Sequence, residues 1–162
     1  MAKLHEDYLR SILFGAEDSL VSTAGIVIGV AVATGDNRLT LMAGIIAICV
    51  EALSMGAGQY LSERGVHQFD PTHTDSLKVG AGLMFTSYFL AGLLPLAPFF
   101  LVPYPLSMYL CIGFSLFGLY MLGHLKGLAV KVSPIRSGLE MFFIGGLAAV
   151  VGIAVGFLTK SL

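Results

Sequence analysis

Residues Leu13–Gly29 read LFGAEDSLVSTAGIVIG, and this stretch decides how the whole chain is interpreted. It lies within an apolar run long enough to cross a bilayer, yet Glu17 and Asp18 stand near its start. A transmembrane helix needs about 20 mostly apolar residues, and an acid near its centre costs about 2.5–3.5 kcal/mol on insertion scales. Because such an acid is kept only where it faces protein, water or a ligand, Asp18 is the first candidate functional residue.

The composition also indicates a membrane protein. Of the 162 residues, 56% are hydrophobic and 12% are charged, and the mean hydropathy is +0.87. A soluble domain of this length does not need so much apolar surface. The net charge of −1 argues against nucleic acid as a partner, because binding to phosphates requires a basic face.

The hydropathy pattern predicts an all-α membrane protein with five transmembrane helices in a single domain covering residues 1–162. We expect the third helix to end at the cluster of Pro95, Pro98, Pro103 and Pro105, because proline does not continue a helix. Glycines spaced four residues apart, such as Gly25 and Gly29, predict close packing between helices of the bundle. The predicted spans are residues 11–33, 39–62, 76–96, 106–125 and 137–159.

The distribution of basic residues predicts the orientation of these helices. With a cytosolic N-terminus, seven of the nine Lys and Arg residues fall in the inner segments, and only Arg38 and Lys160 fall outside. Because cytosolic loops are enriched in Lys and Arg, we expect the N-terminus in the cytosol and the C-terminus outside.

Counting residues from the predicted helix ends places several polar groups at similar depths. Asp18 is about seven residues, or about 10 Å, from the inner end of the first span. Met55 is equally far from the inner end of the antiparallel second span, and Glu51 lies one turn deeper. Glu51, Met55 and Gln59 share one stripe of their helix. If the two helices touch, which the short turn at residues 34–37 favours, Asp18, Met55 and Glu51 converge.

Two carboxylates and a thioether suit a first-row divalent metal ion better than sodium or magnesium. One protomer offers too few ligands for six-coordination, so a two-fold homodimer that pairs two copies of Asp18 and Met55 is the simplest complete site. Because carboxylates in a low dielectric bind protons tightly, an arriving metal must displace protons. Glu17 reaches either the lipid headgroups at the inner surface or the ion pathway. We expect the Ser22 hydroxyl either to bond its own helix backbone or to line that pathway.

At these residues the sequence resembles the vacuolar iron transporter (VIT) family. The resemblance covers nearly the whole chain, and its first two motifs are specific when they occur together. The matching stretches are FGAEDSLVSTAGIVIGVA at 14–31, ALSMGAGQYLS at 52–62, LLPLAPF at 93–99 and RSGLEMFFIGGLAAVVGIAVG at 136–156. The resemblance implies a five-helix homodimer in the lipid bilayer that exports Fe²⁺ or Mn²⁺ from the cytosol in exchange for protons. In that family an Asp of the first helix and a Met of the second lie on the ion path, and Asp18 and Met55 occupy those motif positions.

The sequence departs from the family pattern at two places. Plant and fungal members carry a long Glu-rich helical insert between the second and third helices, where this chain has only ERGVHQFDPTHTD. The side chains of His67, Asp70, His73 and Asp75 form either a reduced metal-collecting site or, as we favour, a solvated loop. An acid of the family motif is also replaced by Gln59, and we propose that Glu51 takes over its carboxylate role deeper in the path.

Other functions fit the sequence less well. A haem-binding electron carrier needs axial ligands inside its spans, and only His124 lies near one. No Ser-His-Asp or His-Glu motif is placed for hydrolysis, so we predict neither an enzyme nor a bound cofactor. A non-transporting structural or assembly subunit is the remaining alternative. Because the chain is minimal and lacks the insert, a prokaryotic plasma membrane is favoured over a vacuole.

Overall fold

The computed structural model describes residues 6–69 and 76–160 of the chain. In this part of the chain all regular structure is helical, as predicted, and the five helices are each long and apolar enough to cross a membrane. The protein is therefore an all-α integral membrane protein that passes through the bilayer several times. The helices are α1 (Glu6–Thr34), α2 (Asn37–Phe69), α3 (Leu77–Leu101), α4 (Leu106–Ala129) and α5 (Pro134–Thr159).

Two helices extend well beyond the predicted spans. Helix α2 continues past Ser62 to Phe69, and α3 runs through Pro95 and Pro98 to Leu101. The expectation that Pro95 and Pro98 end α3 was therefore wrong, whereas the helix does end before Pro103 and Pro105. Both prolines are buried within the bundle, and prolines are tolerated inside transmembrane helices where neighbouring helices pack around the break.

A tight turn makes α1 and α2 antiparallel neighbours that contact each other, as the sequence predicted. Gly35 adopts φ +65°, a left-handed conformation that glycine adopts without steric cost. The Asp36 carboxylate then accepts hydrogen bonds from the backbone N–H groups of Arg38 at 2.7 Å and Leu39 at 3.3 Å. These bonds satisfy donors that the first turn of α2 would otherwise leave unpaired.

Helix α1 is the centre of the bundle, because it packs against each of the other four helices. Its two acids within the apolar run, Glu17 and Asp18, are each partly buried. The outer faces of the surrounding helices carry large apolar side chains such as Val50 on α2 and Leu147 on α5, which are 61% and 68% exposed. Apolar side chains on the outer faces are expected of a bundle surrounded by lipid.

The regularly spaced glycines pack helices of the same chain against each other, as predicted. A Cβ atom at Gly152 of α5 would lie 2.5 Å from the carbonyl oxygen of Gly25 on α1, and one at Gly156 would lie equally close to that of Gly29. Only glycine allows two backbones to approach this closely. The contact fixes the C-terminal half of α5 against α1.

A polar clamp joins three helices at the opposite end of the bundle from residue 6. The Asn37 amide donates to the carbonyl oxygens of Phe99 at 3.2 Å and Val102 at 2.7 Å, and its own oxygen accepts from the Ser107 hydroxyl at 2.8 Å. These bonds satisfy carbonyl groups left unpaired at the end of α3. Asn37 thereby ties the start of α2 to the end of α3 and the start of α4.

Candidate functional site

A hydrogen-bonded group of three side chains lies inside the bundle, one from each of the first three helices. The Glu51 Oε2 atom of α2 accepts a hydrogen bond from the Ser22 hydroxyl of α1 at 3.0 Å and another from the Tyr88 hydroxyl of α3. The Ser22 and Tyr88 hydroxyl oxygens are 2.6 Å apart. We call these three residues the Glu51 network.

Close packing between α1 and α3 holds Tyr88 in this position. Its side chain is fully buried, and its backbone carbonyl accepts a 2.6 Å hydrogen bond from the Ser19 hydroxyl. One turn further along α3, a Cβ atom at Gly92 would lie 2.7 Å from the Ser19 hydroxyl oxygen. The backbone of α3 therefore approaches α1 at this level, and the Tyr88 ring lies in the space between α1 and α2.

Asp18 lies one helical turn from Ser22, on the side nearer the start of α1. It is partly buried, one turn from the serine whose hydroxyl contacts Glu51 and Tyr88. Among residues 6–69 and 76–160, nothing forms a hydrogen bond or an ion pair with its carboxylate. Asp18 is thus close to a second carboxylate and is not neutralised by any basic side chain of the described chain.

The site therefore brings together two acids without a counter-ion. In the part of the chain that the structure describes, the ion pairs join Glu63 to His67 and Arg136 to Glu140, and neither pair includes Asp18 or Glu51. Two like charges in a low dielectric repel each other strongly, and each also loses hydration. Protons or a bound cation would relieve both effects, so this arrangement is suited to binding a positive ion.

The described residues of one protomer do not complete a metal site. They include no group of three His, Cys, Asp or Glu side chains arranged to hold a metal ion. Asp18, Glu51 and the hydroxyls of Ser22 and Tyr88 are the oxygen ligands that one protomer offers here. An ion bound there would need further ligands from water or from another chain.

The structure places Glu51 beside α1 and leaves its predicted depth and one predicted neighbour as predictions. Glu51 accepts a hydrogen bond from Ser22, which is one turn beyond Asp18. Met55 is partly buried, one turn from Glu51 towards the C-terminal end of α2. That Met55 and Asp18 share a ligand remains a prediction.

Gln59 and Glu17 lie away from the Glu51 network. The side-chain nitrogen of Gln59 is 3.6 Å from the position of a Cβ atom on Gly80, so Gln59 faces the start of α3. Glu17 lines a groove that α1 forms with α4 and α5. Because successive residues of a helix point about 100° apart, Glu17 and the adjacent Asp18 face different neighbours.

The Ser22 hydroxyl bonds neighbouring helices, so its expected bond to its own helix backbone was wrong. Its partners on α2 and α3 include a carboxylate, and a hydrogen bond to a charged group is stronger than one to a backbone carbonyl. The other expectation for Ser22, a place beside the proposed ion pathway, stays a prediction.

Of the predicted collecting loop, the structure describes His67 alone. Its Nδ1 atom is 2.9 Å from the Glu63 carbonyl oxygen and 4.0 Å from a Glu63 carboxylate oxygen. His67 lies in the last turn of α2 and so belongs to a helix, not to a loop. Asp70, His73 and Asp75 lie outside the described residues.

Sequence reasoning missed Tyr88. A tyrosine within an apolar span is a weak signal, because its ring is ordinary core material. Its hydroxyl nevertheless needs a hydrogen-bond partner when buried, and the acid that predicts such a partner, Glu51, is on another helix. The pairing of Tyr88 with Glu51 depends on the packing of α3 against both α1 and α2, which the sequence does not give.

The sequence of the chain matches a known protein family. A model of the VIT family matches residues 9–78 and 65–157 of the chain. The chain belongs to the VIT family. Membership is consistent with the transport of metal ions and with the prediction that the protein is not an enzyme.

Several plant and fungal proteins are similar to this VIT family member. It is 23% identical over 206 residues to vacuolar iron transporter 1 of Arabidopsis thaliana, covering 88% of this chain and 82% of the relative. It is 27% identical over 168 residues to vacuolar iron transporter homolog 4 of the same plant, covering 93% and 82%. The first alignment is longer than the chain itself, so that relative contains residues with no counterpart here.

The fungal similarity is stronger and more local. The chain is 38% identical over 76 residues to vacuolar iron transporter cccA of Arthroderma benhamiae. That match covers 41% of this VIT family member and spans about a quarter, 27%, of the fungal protein.

Proposed function

We propose that this VIT family member exports Fe²⁺ from the cytosol in exchange for protons, with Mn²⁺ as a second substrate. The observation that carries the proposal is the position of Asp18 one turn from the Ser22–Glu51 hydrogen bond, in a bundle of membrane helices, with no basic partner for either acid in the described chain. The names of the similar proteins support iron as the substrate. Asp18 and Met55 bind the ion directly, and Glu51 is either a third ligand or the site of a coupled proton.

Proton exchange follows from the electrostatics of the two acids. Carboxylates in a low dielectric bind protons and cations in competition. A divalent ion that binds to both carboxylates therefore displaces protons. The hydroxyls of Ser22 and Tyr88 donate hydrogen bonds to Glu51 and hold its carboxylate in position.

A homodimer would complete the ligand set. Asp18 is only partly buried in one protomer, so a second copy packed on this face of α1 and α2 would cover it and add a second set of ligands. An apolar groove of about 800 Å³ continues from Ser22 along α1 and α5 and extends the face that a second copy would cover. We also propose a cytosolic N-terminus, from the distribution of Lys and Arg, and a prokaryotic plasma membrane as the location.

Metal flux into liposomes tests this proposal. The full chain is reconstituted, Fe²⁺ or Mn²⁺ is added outside, and the internal metal concentration and pH are recorded together. We expect metal uptake with a matching release of protons. Asp18→Asn and Met55→Ala should each lower the flux by at least about tenfold, a loss typical of disturbing even an outer partner of a metal site.

Matched substitutions elsewhere serve as controls. Glu140→Gln changes an exposed acid of α5, and Met42→Ala changes an exposed methionine of α2, so both should keep the parent flux. If Asp18→Asn and Met55→Ala transport as well as these controls, the site assignment is wrong. If the parent carries no metal in either direction, the non-transporting subunit becomes the better account.

A further inference from the structure

A second groove, of about 440 Å³, opens between the start of α1, the end of α4 and α5. Four charged side chains line it: the cations Arg10 and Lys126 and the carboxylates Glu6 and Glu17. Within the described chain, none of the four forms an ion pair or a hydrogen bond with another residue. The two cations and the two carboxylates are therefore available to bind charged groups of a ligand.

The remaining walls of this groove are apolar. They include Leu13 and Phe14 of α1, Val130 beyond the end of α4, and the buried Met141 of α5. Phe14 is 53% exposed and Val130 is 48% exposed, so the groove is open to the surroundings of the bundle. A site that combines apolar walls with both signs of charge, at the ends of membrane helices, matches the boundary between lipid headgroups and acyl chains.

We propose that this groove binds a zwitterionic aminophospholipid, of the phosphatidylethanolamine class, from the leaflet on the N-terminal side of α1. The lipid phosphate contacts Arg10 and Lys126, its primary ammonium contacts Glu17 and Glu6, and its acyl chains cover the apolar wall. The match of charges favours this class over the alternatives. A purely anionic lipid would bring its negative charge next to two carboxylates, and a choline headgroup has no N–H to donate to them.

Native mass spectrometry of the purified full chain tests the proposal. The protein is equilibrated with equal amounts of phosphatidylethanolamine, phosphatidylglycerol and phosphatidylcholine, and the retained lipids are counted. We expect phosphatidylethanolamine to be retained about fivefold over each of the others, the ratio that corresponds to about 1 kcal/mol for one charge contact at the membrane surface.

Substitutions at the groove should change this pattern in two distinct ways. Arg10→Gln or Lys126→Gln should lower the number of all three lipids retained per protein molecule by about fivefold, because each lipid loses a phosphate contact. Glu17→Gln should instead reduce the preference for phosphatidylethanolamine over both other lipids. Lys78→Gln removes an exposed cation at the start of α3, outside the groove, and should behave as the parent.

Two results would overturn the proposal: equal retention of all three lipids by the parent, or groove variants that match Lys78→Gln. Retention of a co-purified peptide in place of lipid would also overturn it. Retained lipids are counted per folded protein molecule, so a variant that folds in poor yield still gives a valid answer. Because no metal flux is measured, the result is independent of the proposed transport activity.

Discussion

Removal of the Tyr88 hydroxyl would test whether the Glu51 network stabilises the bundle. Tyr88→Phe keeps the buried ring and deletes only the oxygen that contacts Glu51 and Ser22. Hydrogen bonds between membrane helices contribute about 0.6 kcal/mol on average and at most about 1.7 kcal/mol. We assign about 1.5 kcal/mol to the bond with the carboxylate and about 0.5 kcal/mol to the contact with Ser22, since bonds to charged groups lie at the upper end.

The free energy of unfolding should therefore fall by about 2 kcal/mol in Tyr88→Phe. In a chain that already carries Glu51→Leu, the same substitution should cost only about 0.5 kcal/mol, because the contact with Ser22 is all that remains. The difference, about 1.5 kcal/mol, is the coupling energy between Tyr88 and Glu51.

The free energy of unfolding of the parent, the two single variants and the double variant is measured by reversible unfolding in mixed detergent micelles. Unfolding is followed by far-ultraviolet circular dichroism in the presence of a chelator. Tyr109→Phe, at a tyrosine that is 62% exposed on α4, is the matched control and should leave stability unchanged. A coupling energy below about 0.3 kcal/mol, within the error of additivity for independent sites, would refute the assignment of a direct Tyr88–Glu51 bond.

Two further predictions concern the framework around the site. Gly152→Ala should destabilise the protein by about 1–3 kcal/mol in the same unfolding assay, because its Cβ would lie 2.5 Å from the Gly25 carbonyl oxygen. The control Gly58→Ala, with open space around its Cβ, should be neutral or stabilising by up to about 1 kcal/mol. Equal effects at the two positions would contradict this account of the α1–α5 contact. Asn37→Ala should lower the free energy of unfolding by about 2 kcal/mol, since it leaves two carbonyls at the end of α3 and the Ser107 hydroxyl without their partner. A loss below about 0.5 kcal/mol would show that water replaces the hydrogen bonds of Asn37.

The number and type of helices could be predicted because hydrophobicity is a local property of the chain. Each span is a continuous run of apolar residues, and a helix satisfies its own backbone within the bilayer. The ends were less predictable. Pro95 and Pro98 predict the end of α3 on local grounds, yet packing around the buried prolines lets the helix continue to Leu101.

Part of the site also followed from the sequence. Asp18 and Glu51 are conspicuous because an acid in an apolar span is costly, and the rise of 1.5 Å per residue predicts that Glu51 lies one turn deeper. Ser22 was named as a residue near the pathway, but its partners were not foreseen. Its hydroxyl reaches two other helices, and only the packing angles between α1, α2 and α3 determine that contact.

The amino-acid sequence by itself determined that this protein is a helical membrane bundle with acids within its apolar spans, because hydropathy depends only on neighbours in the chain. Only the tertiary structure decided which side chain meets which acid. The buried hydroxyl of Tyr88 stands 37 positions from Glu51 along the chain, and Glu17 faces a groove of its own although it adjoins Asp18. Such contacts depend on how the helices are rotated and packed, and no local pattern of residues records that rotation.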